Sequence, residues 1–200
     1  SLADSHSVPI LNKWVFESVR RTPLLMKVVV LTEEAQTVAE TADDPQLLEY
    51  YKGQFRPVAT LVDELSDIVD TNVYILSDEH GLCEGRSTLS EVEGASTGDV
   101  REDTQEALRD SVPDADVVVM LLTKGAFIDV VEPIWNELVE TTKPGAIWCL
   151  GLPRSALDSV DLDSLRTKNE LYVYRRSGVA RLGTETRNQL LAAVQERSQE

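Results

Sequence analysis

Five short apolar runs, separated by helix-length segments, constrain the fold of this chain more than any other feature of its sequence. The runs are rich in Val, Ile and Leu and occupy residues 27–32, 72–77, 116–122, 146–151 and 171–174. Their apolar residues are continuous, whereas a strand with one face in water alternates apolar and polar residues. Such strands, alternating with helices, predict an α/β fold: an open, mostly parallel sheet with helices on both faces, a Rossmann-like three-layer sandwich.

The segments between the runs show the helical spacing of apolar residues. Residues 46–69 form the longest segment, and we expect Pro57 to divide it into two helices or to kink one helix. Residues 127–139 repeat the helical pattern, and Thr184 is the expected N-cap of a last helix.

The length of 200 residues fits one domain, so residues 1–200 are predicted to form a single α/β domain. Residues 1–26 are predicted to be an N-terminal extension, in which residues 12–26 are a candidate helix. Residues 83–100 are rich in Gly, Ser, Thr and Glu, which predicts a long mobile loop after the second apolar run.

The charge of the chain is strongly negative, with 35 acidic residues against 19 basic ones and a formal net charge of −16. The acids are spread along the whole chain and only six of the bases are lysines, which favours a halophilic protein whose self-repulsion is screened by concentrated salt. The alternative is an ordinary acidic protein with a basic partner. In dilute buffer this charge argues against nucleic-acid binding, but in molar salt the argument loses its force, so a nucleic-acid partner is not excluded.

Several classes of protein find no support in the sequence. No apolar run approaches the roughly 18 residues that cross a bilayer, and residues 1–9 lack the pattern of a signal peptide, so we expect a cytoplasmic protein without a membrane partner. Cys83 and Cys149 are not expected to form a disulfide. No zinc-ligand spacing, G-x-G-x-x-G or P-loop is present, and no cofactor or metal is predicted. The carboxylate pairs Glu33-Glu34 and Asp78-Glu79 could bind Mg²⁺ across adjacent strand ends, but such pairs arise by chance in so acidic a chain.

Candidate functional residues are those that follow the carboxyl ends of the strands, where ligands bind in open α/β sheets. The richest group is residues 77–82, in which Ser77 precedes His80, one of only two histidines. His80 could act as a catalytic general base near neutral pH, with Ser77 positioning the substrate. The alternative is that His80 caps a turn in which Gly81 supplies a positive φ.

Three other residues at the strand ends are candidate substrate-binding groups. Lys124 and Arg154 could each hold a phosphate or carboxylate, and Glu33 follows the first strand. An ordinary turn residue is the alternative for Lys124 and for Arg154. Cys83 could be a reactive thiolate, although an incidental loop cysteine is the simpler interpretation.

Two motifs carry a resemblance to a known family. Residues 50–55 read Y-Y-K-G-Q-F, roughly like a family pattern L-Y-x-x-x-x-F with Tyr51 and Phe55 as the matched positions, and residues 73–82 read V-Y-I-L-S-D-E-H-G-L. This pair resembles an uncharacterised family of bacteria, archaea and phages with a strand-end I-L-S-x-x-H-G-L motif, remotely like the peroxide-stress YaaA proteins. The resemblance implies that Tyr51, Ser77 and His80 belong to a functional site. The chain departs from the family at residues 32–35, T-E-E-A in place of a Ser-Cys-Gly-Lys-like loop, and at residues 78–79, where acids replace Ala-Lys.

Two functional hypotheses follow from the sequence. The first is an enzyme that acts on a nucleotide, nucleobase or nucleic acid through the strand-end site, which makes a nucleotide-like small molecule the expected ligand. The second is a non-catalytic regulatory or interaction module of a larger assembly. It rests on the missing cofactor fingerprints, on the lack of a complete triad and on Trp14 and Phe16, which could dock on a partner.

Overall fold

The computed structural model describes residues 26–40, 43–95, 97–176 and 182–200. The candidate helix at residues 12–26 therefore lies, apart from Met26, outside the described residues. The six strands are β1 Lys27–Glu33, β2 Asp70–Ser77, β3 Gly81–Glu84, β4 Val117–Leu121, β5 Ile147–Pro153 and β6 Glu170–Arg176. The five predicted strands are thus confirmed, and β3 is additional.

The strands form one sheet in the order β3-β2-β1-β4-β5-β6. All neighbouring pairs are parallel except β2 and β3, which are antiparallel. β1 lies between β2 and β4, so the chain first extends the sheet to one side of β1 and then to the other. This reversal is the topological switch point at which open α/β sheets form a ligand crevice.

Helices cover both faces of the sheet. Their bounds are α1 Leu47–Tyr50, α2 Arg56–Ile68, α3 Leu89–Gly94, α4 Val100–Ser111, α5 Lys124–Ala126, α6 Trp135–Thr141, α7 Arg154–Leu157, α8 Leu162–Lys168 and α9 Thr184–Ser198. Apolar residues of α2 and α9 pack in the core on one face, and those of α4, α6 and α8 pack in the core on the other. The structure has the predicted α/β three-layer architecture.

The alternation of side chains along β1 shows why its sequence is continuously apolar. Val28 and Val30 belong to the core under α2 and α9, whereas Val29 and Leu31 belong to the core under α4 and α6. Because both faces of this central strand are covered, every position from 28 to 31 requires an apolar side chain.

The structure corrects two local predictions. Residues 83–100 are not a long loop, because they include the end of β3, the whole of α3 and the first residue of α4. The side chain of Asp99 caps α4 by accepting hydrogen bonds from the backbone N–H groups of Arg101 and Glu102 at 2.9 and 3.1 Å.

Thr184 is not an N-cap but the first residue of α9, and the N-cap is Gly183, whose position is set by packing. A Cβ atom there would lie 2.5 Å from Cε2 of Tyr174, so only glycine allows this close approach.

Pro57 does divide its segment as predicted, since α1 and α2 are separate helices joined by a 3₁₀ turn at Gly53–Phe55. No helix in the described parts of the chain is long and apolar enough to cross a membrane.

Candidate functional site

A cavity of about 670 Å³ opens at the carboxyl ends of β1, β2 and β4. It therefore lies at the switch point of the sheet, and its volume is typical of small-molecule sites. Its lining residues come from the loops after these three strands and from the helices that flank them: Glu33, Glu34, Ala35, Gln36, Thr37, Gln54, Phe55, Leu76, Ser77, Asp78, Val100, Thr123, Gly125, Ala126, Asp129 and Val130.

The carboxylate of Glu34 joins β1 to the turn after β2. Its Oε2 accepts hydrogen bonds from the hydroxyls of Ser77 at 2.6 Å and Tyr51 at 3.2 Å, and its Oε1 accepts one from the backbone N–H of Asp78 at 2.9 Å. Ser77 and Tyr51 are each only 3% exposed. The network leaves Glu34 as the acceptor for three donors, two of which belong to buried side chains.

The carboxylate of Glu33 points to the other side of β1 and joins it to the turn after β4. Its Oε2 accepts a hydrogen bond from the backbone N–H of Thr123 at 2.5 Å, and its Oε1 accepts one from the Thr123 hydroxyl at 3.0 Å. The same hydroxyl accepts a longer bond from the backbone N–H of Ala126 at 3.4 Å and so caps the short helix α5. Glu33 thus fixes Thr123 and the start of α5, where the wall of the cavity after β4 begins.

The turn after β2 is shaped by Ser77 and Gly81. The Ser77 hydroxyl accepts a hydrogen bond from the backbone N–H of His80 at 3.0 Å, and Gly81 has a φ of +73°. The positive φ that the turn alternative assigned to Gly81 is therefore confirmed, and it turns the chain back into the antiparallel strand β3.

The wall that follows β4 contains a π-helical segment at Phe127–Val131. Two residues later Pro133, which has no backbone N–H, occupies the 3₁₀ turn at Glu132–Ile134 and interrupts the regular α-helical bonding. The wider turn contributes Asp129 and Val130 to the cavity lining, and single π-helical turns occur frequently at functional sites.

The lining combines acidic and apolar groups. Four carboxylates line the cavity, those of Glu33, Glu34, Asp78 and Asp129, and no Lys or Arg among the described residues does so. Asp129 faces Arg101 at 3.9 Å, and both side chains are at least half exposed. The apolar part of the lining consists of Ala35, Phe55, Leu76, Val100, Ala126 and Val130. The lining residues that the structure describes therefore favour a ligand that has both hydrogen-bond donors and an apolar face.

The structure brings together only part of the predicted site. Ser77 and Glu33 line the cavity. Tyr51 does not line it, but its hydroxyl donates a hydrogen bond to the lining residue Glu34. Lys124 is exposed and is not a lining residue, although its two neighbours are. Arg154 lies after β5 at the start of α7, where it pairs with Asp158 at 3.7 Å.

His80 lies outside this cavity. Its side chain is 11% exposed, and its Nε2 lies 3.8 Å from a carboxylate oxygen of Glu79. It lines a separate space of about 80 Å³ together with Cys83 and Asp103, among others. The contact of His80 with the Ser77 hydroxyl is made by its backbone N–H rather than by its imidazole.

Burial keeps the hydroxyl and thiol behind Glu34 protonated. Burial, together with the nearby Glu34 charge, raises the pKa of Tyr51 above its usual value even though the Ser77 contact opposes the shift. Burial and then the Glu34 charge raise the pKa of Cys83 to about 11. Cys83 lies in β3 rather than in the predicted loop, and its thiol donates weakly to the carbonyls of His80 and Gly81, both at 3.7 Å. A reactive thiolate is therefore disfavoured at this position.

Sequence reasoning missed several residues of the site. Nothing in the local sequence marks Asp129 and Val130 as site residues, because the rule that ligands bind beyond strand ends selects only the first residues after β4. Glu34 was recognisable as a strand-end acid, but its partners Tyr51 and Ser77 lie 17 and 43 residues away along the chain. Among the described residues no group of three or more His, Cys, Asp or Glu side chains is arranged to hold a metal ion.

Comparisons with known proteins give no family. No protein-family model matches the chain, and no curated protein matches it at a significant level. Among solved structures the chain is similar to a diflavin flavoprotein A3 from Nostoc sp., with 10% sequence identity and a TM-score of 0.43 over 87% of this chain and 92% of that one. A TM-score of this size carries no functional argument. The resemblance to the I-L-S-x-x-H-G-L family is tested by none of these comparisons and stays a prediction.

Proposed function

We propose that the protein binds a nucleobase or an unphosphorylated nucleoside in the strand-end cavity. The observation that carries this proposal is the lining itself, in which four carboxylates stand beside an apolar surface. Nucleobases have planar apolar faces and N–H groups on their edges, and carboxylates accept hydrogen bonds from such edges.

Asp78 and Asp129 are the two lining acids proposed to recognise the ligand. Glu33 and Glu34 already accept hydrogen bonds from the protein. Asp78 is an exposed residue whose side chain has no hydrogen-bond partner among the described residues, and Asp129 makes only a long contact with Arg101. Both carboxylates thus have lone pairs available for a ligand.

The charge of the cavity favours the unphosphorylated form of the ligand. A phosphate in the cavity would face carboxylates without a lining cation among the described residues, and like charges repel strongly where the dielectric constant is reduced. Lys124 and Arg154, the predicted anion-binding residues, do not line the cavity. This part of the proposal narrows the predicted nucleotide-like ligand to its base and sugar.

The proposal assigns roles to the predicted site residues. Ser77 and Glu33 shape the cavity through their hydrogen bonds, and Tyr51 holds the Glu34 carboxylate from behind. His80 acts as a positioning residue through its backbone N–H. Binding rather than catalysis is proposed, because the imidazole of His80 does not line the cavity.

Calorimetric titration with nucleosides and their 5′-monophosphates tests this proposal. We expect at least one nucleoside to bind about tenfold or more tightly than its own monophosphate, since the phosphate is repelled. Asp78→Asn and Asp129→Asn should each weaken nucleoside binding several-fold and improve monophosphate binding.

The matched control is Asp67→Asn, the same substitution at an exposed residue in the last turn of α2. Asp67 is not a lining residue, so its substitution should change neither affinity. Tighter binding of a monophosphate than of its nucleoside, or no nucleoside binding up to about 1 mM, contradicts the proposal.

A further inference from the structure

The edge strand β6 presents a nearly continuous row of apolar side chains. β6 pairs only with β5, and among the described residues no strand lies on its other side. Its residues 171–174 read Leu-Tyr-Val-Tyr, and all four side chains are half-buried. Long apolar edge strands are templates for pairing with another strand.

The hydrogen bonds of β6 show which backbone groups are directed outwards. The backbone N–H of Glu170 donates to the carbonyl of Ala146, next to β5, at 3.3 Å. Because successive residues of a strand direct their backbone groups to opposite sides, Leu171, Val173 and Arg175 direct theirs to the free edge. These three residues offer alternating donors and acceptors to an added strand.

The other edge of the sheet differs in both length and cover. β3 has four residues, the backbone N–H of Gly85 continues its pairing by donating to the carbonyl of Val73 in β2, and Leu48 of α1 covers the end of β3 by donating to the carbonyl of Gly85. Short edges that other segments cover resist pairing. Of the two edges, β6 is the one suited to an added strand.

From these observations we propose that two copies of this chain associate through antiparallel pairing of their β6 strands, centred on Val173. In this register Val173 faces Val173 of the second copy, and Leu171 faces Arg175 of the second copy, so the outward groups of each strand are paired.

The charges of β6 favour this partner over an unrelated strand. β6 begins with Glu170 and ends with arginines at positions 175 and 176. In the register centred on Val173, position 176 of the second copy, an arginine in the sequence, comes opposite Glu170, and an acid and a base at opposite positions of antiparallel strands stabilise the pair.

The surroundings of β6 predict how salt affects this association. A groove of about 440 Å³ runs between β6 and α9, and its lining includes Tyr172, Ala192 and Ala193, the three acids Glu170, Glu196 and Glu200, and one base, Arg197, which pairs with Glu170 at 3.2 Å. Each copy also carries a formal net charge of −16. Because screening weakens the repulsion between two such copies, the dimer should become tighter as the salt concentration rises.

Analytical ultracentrifugation of the full chain in about 0.2 M and about 2 M KCl tests the proposal. We expect a dimer whose dissociation constant falls about tenfold or more between these concentrations. Val173→Lys should raise the dissociation constant at least about tenfold, because it places two lysines opposite each other. Val38→Lys, the same substitution at a residue that is 41% exposed and far along the chain from β6, is the matched control and should leave the dimer intact.

A cross-linking variant keeps the test decisive if Val173→Lys does not fold. In antiparallel hydrogen-bonded pairs the Cα atoms lie about 5.5 Å apart, a separation that a disulfide spans, so Val173→Cys should form a covalent dimer on oxidation. Val38→Cys should not. The native cysteines are both buried and free, so they do not obscure the result. A monomer at about 100 µM in 2 M salt, or equal cross-linking of the two variants, overturns the proposal.

Discussion

Glu33 and Glu34 are neighbours in the sequence, yet their carboxylates stabilise different parts of the cavity. Glu34 accepts hydrogen bonds from the buried hydroxyls of Ser77 and Tyr51 and from a backbone N–H. Glu33 accepts both of its hydrogen bonds from Thr123, in an exposed part of the wall. We therefore expect burial of the donors, rather than the number of hydrogen bonds, to decide which of the two acids contributes more to stability, because water replaces a lost acceptor only where it has access.

The largest effect is expected for Glu34→Ala. The substitution leaves three donors without their acceptor, including the two buried hydroxyls, and should reduce the free energy of unfolding by about 3 kcal/mol. Urea unfolding followed by circular dichroism measures this change. A loss no larger than that of Glu33→Ala contradicts the comparison.

A smaller effect is expected for Ser77→Ala. It removes one of the donors to Glu34 and the acceptor of the His80 backbone N–H, and should cost about 2 kcal/mol. Thr60→Ala on the exposed face of α2 removes a hydroxyl that bonds only its own helix, and this control should change the free energy of unfolding by less than about 0.5 kcal/mol. Equal losses in the two variants would assign no special role to Ser77.

Glu33→Ala should have the smallest effect on stability, about 1 kcal/mol, because water can reach the N–H and hydroxyl of Thr123. If the proposed ligand is found, this variant should weaken its binding more than it lowers stability, since Glu33 positions the cavity wall. Parallel unfolding and titration experiments separate the two effects. A loss of stability as large as that of Glu34→Ala would remove the contrast between the two acids.

The pH dependence of stability offers a further test on the Glu34 side. The pKa of Cys83 is raised to about 11 by burial and by the Glu34 charge, while an unfolded thiol has a pKa of about 8.5. A raised pKa gives stability that is complete below about 8.5 and is lost as the pH rises towards 11, because only the unfolded thiol then ionises freely. Urea midpoints should therefore fall across this range.

Removing the Glu34 charge tests how much that charge contributes to the raised pKa of Cys83. Glu34→Gln should lower the pKa of Cys83, because one of the two causes of its shift is lost. The pKa of Cys149, raised to about 12 by burial alone, should not change. Thiolate absorbance during a pH titration distinguishes the two thiols when each is substituted in turn. If the pKa of Cys83 is the same in Glu34→Gln as in the unsubstituted protein, burial alone accounts for its raised value.

Much of the fold was predictable because its determinants are local. The continuous apolar runs predict strands covered on both faces, and Val28 to Leu31 do alternate between two cores. β3 was missed because its four residues, Gly-Leu-Cys-Glu, are too few to show a period. Helix α4 could have been recognised from Asp99 followed by Glu102, which is a typical helix start.

The candidate site was predictable only in its position. The strand-end rule places Ser77 and Glu33 at the cavity, but it also selects Lys124 and Arg154, which do not line it. A side chain that follows a strand points into the crevice or away from it according to the turn it belongs to. In Thr123-Lys-Gly125 the two flanking residues line the cavity and the lysine does not.

The five long strands, their parallel arrangement, the turn at Gly81 and the sheet edge at which the cavity opens all follow from the sequence alone. These features depend on periodicity and on backbone preferences, which neighbouring residues set. The tertiary structure was needed to show that Glu34 is held by Tyr51 and Ser77, that the imidazole of His80 lies outside the cavity, and that no strand in the described parts of the chain pairs with the outer edge of β6. These features depend on contacts between residues far apart in the chain, and the packing of the whole sheet sets such contacts.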